Sequence, residues 1–125
     1  MAGIARFEDI RAWQAGRRFV SSIYRISNVG EFRADLRLRG QIRAAAIGIT
    51  SNIAEGFERD RPREFHQFLS IAKASCAEAR SDLYIALDAG YVTEPSFRDL
   101  IAEGESVAKQ IAALRSAIAT RHKLR

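Results

Sequence analysis

Two histidines, one cysteine and seventeen arginines are the side chains of this chain with the most chemistry to offer. A di-iron site in a helical bundle needs Glu-x-x-His pairs on facing helices. His66 is preceded at that spacing by Arg63 and His122 by Ala119, so neither pair exists. Cys76 is distant from both histidines, and a zinc site of nitrogen and sulfur ligands is not expected. Cys76 also falls in an apolar helical stripe, which reads as core packing rather than as a nucleophile. Glu78 and Asp82 stand one helical turn apart, a spacing that suits paired carboxylates. With Arg80 between them the pattern reads as a solvated face. No glycine-rich phosphate loop is present. The expectation is a non-catalytic protein that needs no metal or cofactor.

The arginines are unevenly spread. Residues 1–63 carry twelve of them against seven acids, whereas residues 64–125 balance eight bases with eight acids, so the net charge of +5 arises in the first half. Lysine occurs only at 73, 109 and 123. Arginine's planar fork suits phosphate, although an arginine-preferring genome produces the same bias. A basic half points to an anionic partner without naming it.

At 125 residues, 47% of them hydrophobic, the chain fits a single domain, 1–125, with an ample core. A lone cysteine excludes an internal disulfide and fits a reducing compartment. The start, Met1 to Asp9, has no signal-peptide apolar run, and no segment approaches the roughly 20 apolar residues of a membrane span. A cytoplasmic protein without membrane contact is therefore expected.

Punctuation divides the chain into four helices of an antiparallel, all-α, up-down bundle, at about 9–28, 32–57, 62–89 and 94–120. Gly30 stops the first, whose apolar face is Ile10, Trp13, Val20 and Tyr24. The second carries Leu38, Ile42, Ala45, Ile49, Ile53 and Phe57. Pro62 opens the third, with Glu64 complementing the helix dipole. Its inner face runs from Phe65 through Phe68, Leu69, Ala72, Cys76, Ala79 and Leu83 to Leu87, and Gly90 ends it. Thr93-Glu94-Pro95 starts the fourth, which buries Phe97, Leu100, Ile101, Gly104, Val107, Ile111, Leu114 and Ile118. Short connections make sequential helices antiparallel neighbours, and the tail Arg121–Arg125 is expected to fray.

The second helix departs from this pattern. From Ala44 to Ala54 it carries no charge, and its far side shows Ala44, Ile47, Gly48, Ser51 and Ala54 where a solvated helix has Lys or Glu. Gly40, Ala44, Gly48 and Asn52 recur every four residues as a ridge of small side chains. A helix-interior glycine costs about 1 kcal/mol relative to alanine, a cost that close packing offsets. The reading is a subunit interface; the alternative is that the first and third helices together wrap this one within a monomer.

The stretch Gln41–Arg59, centred on Ser51-Asn52-Ile53-Ala54-Glu55-Gly56, resembles the signature of the four-helix-bundle family of 23S rRNA intervening-sequence proteins, related to the accessory variability proteins of diversity-generating retroelements. Phe7–Gln14, Glu64-Phe65 with Phe68-Leu69, Ala72–Ser75 with Glu78, and Gly90-Tyr91 extend the resemblance over about 7–119. The chain departs from the family pattern at Thr50, which replaces a usual proline, and at Gly48, Arg37 and Ala74. It also lacks the Phe-Pro that usually leads into helix two. The resemblance implies a ring-like homopentamer without catalysis that engages RNA or DNA and, in the retroelement relatives, a reverse transcriptase. Candidate phosphate contacts are Arg33, Arg37, Arg39, Arg43, Arg59, Arg61 and Arg63. On a continuous second helix Arg33 and Arg37 share a face, with Arg39 and Arg43 on its flank. Without interleaved aromatics, backbone contact is expected over base readout. Asn52, Glu55 and Gly56 of the signature join Gly40, Ala44, Ile47, Gly48 and Ser51 as interface or structural residues. Asn52 bonds across a helix contact and Glu55 pairs with an arginine in this reading. The other possibility is a scaffold that docks a partner protein and touches no nucleic acid.

Overall fold

The structure is a computed structural model that describes residues 3–124. Arg125, the last residue of the expected frayed tail, and Met1 and Ala2 lie outside the described residues. A 3-10 turn, Phe7–Asp9, leads into α1 (Arg11–Ile26), followed by α2 (Gly30–Ala34), α3 (Leu36–Glu58), α4 (Pro62–Asp88) and α5 (Glu94–His122). The four long helices pack in the cyclic order α1, α3, α4, α5. Each neighbouring pair is antiparallel. Gly16 faces Ile49 and Gly56 faces Phe68, while Tyr84 stacks edge-on with Phe97 at 4.8 Å.

The core is one cluster fed by all five helices. Phe19, Ile23, Phe32, Ile42, Ile49, Ile53, Leu69, Leu83 and Ile111 are fully buried, each contributing about 1.5–3 kcal/mol of transfer free energy. The expected stripes of the last three long helices are buried or half-buried. Of the face expected for α1, Ile10 at its N-cap is buried, but the rest is rotated. Ala12, Ala15, Gly16, Phe19 and Ile23 face inward, Trp13 and Val20 are half-buried, and Tyr24 is exposed. Small residues let α1 approach closely: a Cβ on Gly16 would lie 3.2 Å from side chains of α3.

The expected second helix is two helices. Asp35 adopts φ −82°, ψ 84°, and its Oδ1 accepts the Leu38 N–H at 3.0 Å, a side-chain cap that starts α3 afresh. Its Oδ2 accepts the Tyr91 hydroxyl at 2.9 Å, and Phe32 stacks on Tyr91 at 5.4 Å. The short α2 is thereby tied over the end of the bundle. Gly30 begins α2 rather than stopping α1. The end of α1 is made by Ser27, whose Oγ donates to the Ile23 carbonyl at 2.6 Å.

The other boundaries follow their punctuation. Pro62 occupies the first turn of α4 with Glu64 beside it. Gly90 at φ +78° lets the Tyr91 N–H reach the Ala86 carbonyl at 2.9 Å, closing α4 in a left-handed turn. Thr93 caps α5. That helix runs through Arg121 and His122 to a left-handed Lys123, past the expected end near 120 and into the segment expected to fray. Among the described residues no helix is long and apolar enough to cross a membrane.

Candidate nucleic-acid interface

Helix α1 holds four arginines, Arg11, Arg17, Arg18 and Arg25, and no acidic residue. All four are exposed. Their outward placement follows from the inward set: with Phe19 and Ile23 at the core, 100° per residue carries every charged position of α1 to the opposite side. Arg11, Arg18 and Arg25 recur every seven residues along roughly 21 Å of helix.

Beside this face, Arg6, Glu8, Trp13, Gln14, Arg17, Arg18 and Ser21 line an open cleft of about 500 Å³. Three guanidinium groups there confront one carboxylate. Glu8 is held below the ordinary carboxylate range by a hydrogen bond from its own backbone N–H and by Arg6 at 3.2 Å. Arg17 lies over the Trp13 ring at 5.8 Å, and Phe7 packs edge-on to that ring at 5.2 Å. At the far end of α1, Arg25 donates to Ser22 Oγ at 3.3 Å and shares a groove with Asp99 and Glu103 of α5, which offset its charge. Arg11, Arg17 and Arg18 make no ion pair among the described residues, although Arg11 shares a groove with Asp9.

The seven arginines nominated from the sequence are divided between the two ends of α3. Arg33, Arg37, Arg39 and Arg43 gather near its start, and Arg59, Arg61 and Arg63 lie beyond its end. The break at Asp35 places Arg33 and Arg37 on different helices, so they do not share one helical face. Arg39 Nη1 donates to the Arg33 carbonyl at 3.0 Å. Arg43 is engaged within the fold: its guanidinium covers the Tyr24 ring at 4.3 Å and its Nε donates to Ser27 Oγ at 2.8 Å. Arg59 bonds Glu55 at 3.1 Å and Glu64 at 3.4 Å, and Arg61 meets Glu64 at 3.6 Å. The Glu55 bond raises the pKa of Arg59 further. Among the described residues Arg33, Arg37 and Arg63 stand free of such pairs.

The residues nominated as an interface also divide. Ala44, Ile47 and Ser51 are exposed, with Ile47 40% accessible, and nothing lies within 4 Å of the Cβ position of Gly40. Gly48 faces its own chain. A Cβ there would meet Ser75 Oγ of α4 at 3.0 Å, and one on Gly56 would meet Phe68 Cβ at 2.5 Å. These two glycines serve the α3–α4 contact within the bundle. Asn52 is bound locally, Nδ2 donating to the Gly48 carbonyl at 2.7 Å, rather than across a helix contact. Glu55 pairs with an arginine, Arg59, as expected. On α4, Ile71 and Ile85 add exposed apolar surface beside the α3 strip.

Among the described residues no group of three His, Cys, Asp or Glu side chains is placed to hold a metal ion. Cys76 is buried, donates to the Gly104 carbonyl at 3.2 Å, and has its pKa raised by burial. His66 is shifted down by burial and by nearby Arg115. Asp82, expected on a solvated face with Glu78, is buried. The wheel turns it toward α3, whereas Glu78 stays exposed.

The model of the family described as 23S rRNA-intervening sequence protein matches residues 8–113. No curated protein matches the chain. The matched span opens within the 3-10 turn and takes in all of α1 through α4 and most of α5, so it includes the whole α1 arginine face.

Proposed function

The chain belongs to the 23S rRNA-intervening sequence protein family, and from that premise we propose a non-catalytic, self-associating protein that binds nucleic acid along the arginine face of α1. One observation carries the reading: α1 has four exposed arginines and no acid. With no acid on their own helix, Arg11, Arg17 and Arg18 make no ion pair among the described residues, and phosphate is the anion their fork fits best. Backbone contact of this kind positions a nucleic acid without reading its sequence.

Self-association rests on the exposed uncharged strip of α3 with Ile71 and Ile85 of α4 beside it. Burying these residues against another copy removes apolar surface from water. In a closed ring, for which the family resemblance implies five copies, the α1 face is repeated once per copy. Weak phosphate contacts then act together and raise avidity.

The test is a fluorescence anisotropy titration of labelled RNA and DNA at several salt concentrations. The proposed mode gives a log–log slope of about 0.7–0.9 per phosphate neutralised, with little difference between unrelated sequences. Absence of binding at low salt contradicts it and favours the scaffold that docks a partner protein instead.

A further inference from the structure

The apolar stripe of α1 formed by Trp13, Val20 and Tyr24 only flanks the core, which is built on Phe19 and Ile23. Trp13 and Val20 stay half-buried, and Tyr24 is 40% accessible. Trp13 and Tyr24 stand eleven residues apart, about 16 Å of rise and about 20° of rotation, so they share one edge of the helix. Arg17 falls between them on that edge, and aromatic and guanidinium groups alternate along it. Trp13, the only tryptophan of the chain, opens on the cleft of about 500 Å³ that Arg6, Arg17 and Arg18 also line. This corner is held in place from both sides. Phe7 meets the indole edge-on at 5.2 Å, and Gln14 Nε2 ties α1 to the preceding turn through the Glu8 carbonyl at 2.9 Å. Glu8, the one carboxylate of the cleft, is taken by Arg6 at 3.2 Å. Arg17 and Arg18 make no ion pair among the described residues.

We propose that this cleft selects single-stranded nucleic acid, with an unpaired base stacked on Trp13 and the flanking phosphates held by Arg17 and Arg18. The inference rests on the α1 binding proposed above and names the form of nucleic acid it takes. A phosphate-only site has no use for an indole at its floor. A duplex turns its base faces onto one another and offers the cleft phosphate alone, whereas an unpaired base brings a free π-face as well. Every base has such a face, so stacking adds affinity without reading sequence. The cleft lies within the size range of small-ligand clefts, about 300–1,000 Å³, and so has room for a base. Arg17, exposed and loosely set 5.8 Å above the indole, can yield the ring to a base and turn to its phosphate.

The experiment titrates the full chain with three labelled probes: a mixed-sequence DNA strand, the same strand annealed to its complement, and an abasic strand with the same number of phosphates. Anisotropy reads binding, and intrinsic fluorescence reads Trp13 directly because no other indole is present. Stacking predicts strong quenching at saturation with the mixed-sequence strand and little with the duplex or the abasic strand. Trp13→Leu should lower the ratio of single-strand to duplex affinity by roughly fivefold to a hundredfold, the range of one base–aromatic stack. Its salt slope should stay that of wild type, since no phosphate contact is removed. Trp13→Phe keeps a ring and should retain most of the ratio. Circular dichroism accompanies both variants, and the quenching measurement on wild type stands whether or not they fold. Bound single strand with unchanged indole fluorescence, or an unchanged affinity ratio in folded Trp13→Leu, each overturns the stacking site and leaves the arginine face of α1 standing. No binding of any probe at low salt overturns both.

Discussion

Arg43 of α3 lays its guanidinium 4.3 Å from the centroid of the Tyr24 ring of α1. Its Nε reaches Ser27 Oγ at 2.8 Å, and Ser27 in turn closes the end of α1 through the Ile23 carbonyl. One side chain thus pins the last turn of α1 to α3. Replacing it with Met keeps the aliphatic stem but removes the charge and the donors. Arg43→Met is expected to cost about 1–2 kcal/mol, one cation–π contact and one hydrogen bond. Urea denaturation checks the loss, and nucleic-acid affinity should be nearly unchanged because this arginine is not free for phosphate.

Gly56 is a matter of backbone approach. An alanine there gains about 1 kcal/mol of helix propensity but sets its Cβ 2.5 Å from Phe68 Cβ, an atom fixed close to the α4 backbone. Overpacking of this kind costs about 1–3 kcal/mol, so Gly56→Ala should be destabilised on balance. Thermal unfolding at two protein concentrations separates this effect from assembly: the fall in midpoint should be the same at both.

Asp35 carries a pH dependence of definite sign. The Leu38 N–H first, and then the Tyr91 hydroxyl, hold its carboxyl below the ordinary carboxylate range. A depressed folded pKa means that its contribution is present above the unfolded value of about 3.9. That contribution is lost as pH falls through the folded value. Asparagine keeps the cap but does not titrate. Acid unfolding of Asp35→Asn should therefore lack the part of the stability loss below about pH 4 that wild type shows. Superimposable acid transitions for the two proteins would count against this role.

Much of this fold was legible because its punctuation is local. Pro62, Gly90 and Thr93 act on backbone within a few residues of themselves, and the boundaries they mark stand where their chemistry puts them. The break at Asp35 was not legible. It depends on Tyr91, 56 residues away, which rewards the capping conformation over a continuous helix. The face of α1 was misjudged by about one stripe. Ala12, Ala15 and Gly16 carry little hydrophobic signal, yet their small size is what lets α1 seat against α3. Spacing of Trp13, Val20 and Tyr24 alone fits a neighbouring stripe equally well.

The α1 face proposed above is not among the arginines nominated from the sequence. Charge summed over half the chain hides that α1 alone among the helices is acid-free, a signal that counting by helix reveals. The pairing of Arg59 and Arg61 with Glu55 and Glu64 follows helical or near-neighbour spacing and was readable. The pairing of Arg43 with Tyr24 requires two helices to meet, and no local pattern announces it.

The most direct test of nucleic-acid binding through α1 is a charge reversal at Arg17 and Arg18, set against the same reversal at Arg59 and Arg61. Anisotropy titrations with one labelled RNA and one labelled DNA, at low and moderate salt, read the outcome, and circular dichroism confirms that both variants fold. Arg17→Glu with Arg18→Glu should weaken binding by about tenfold or more and lower the salt slope by about 2. Arg59→Glu with Arg61→Glu should change affinity far less, since both arginines already hold carboxylates of their own chain. Full retention of affinity in the α1 variant, or a larger loss in the Arg59 and Arg61 variant, contradicts the account.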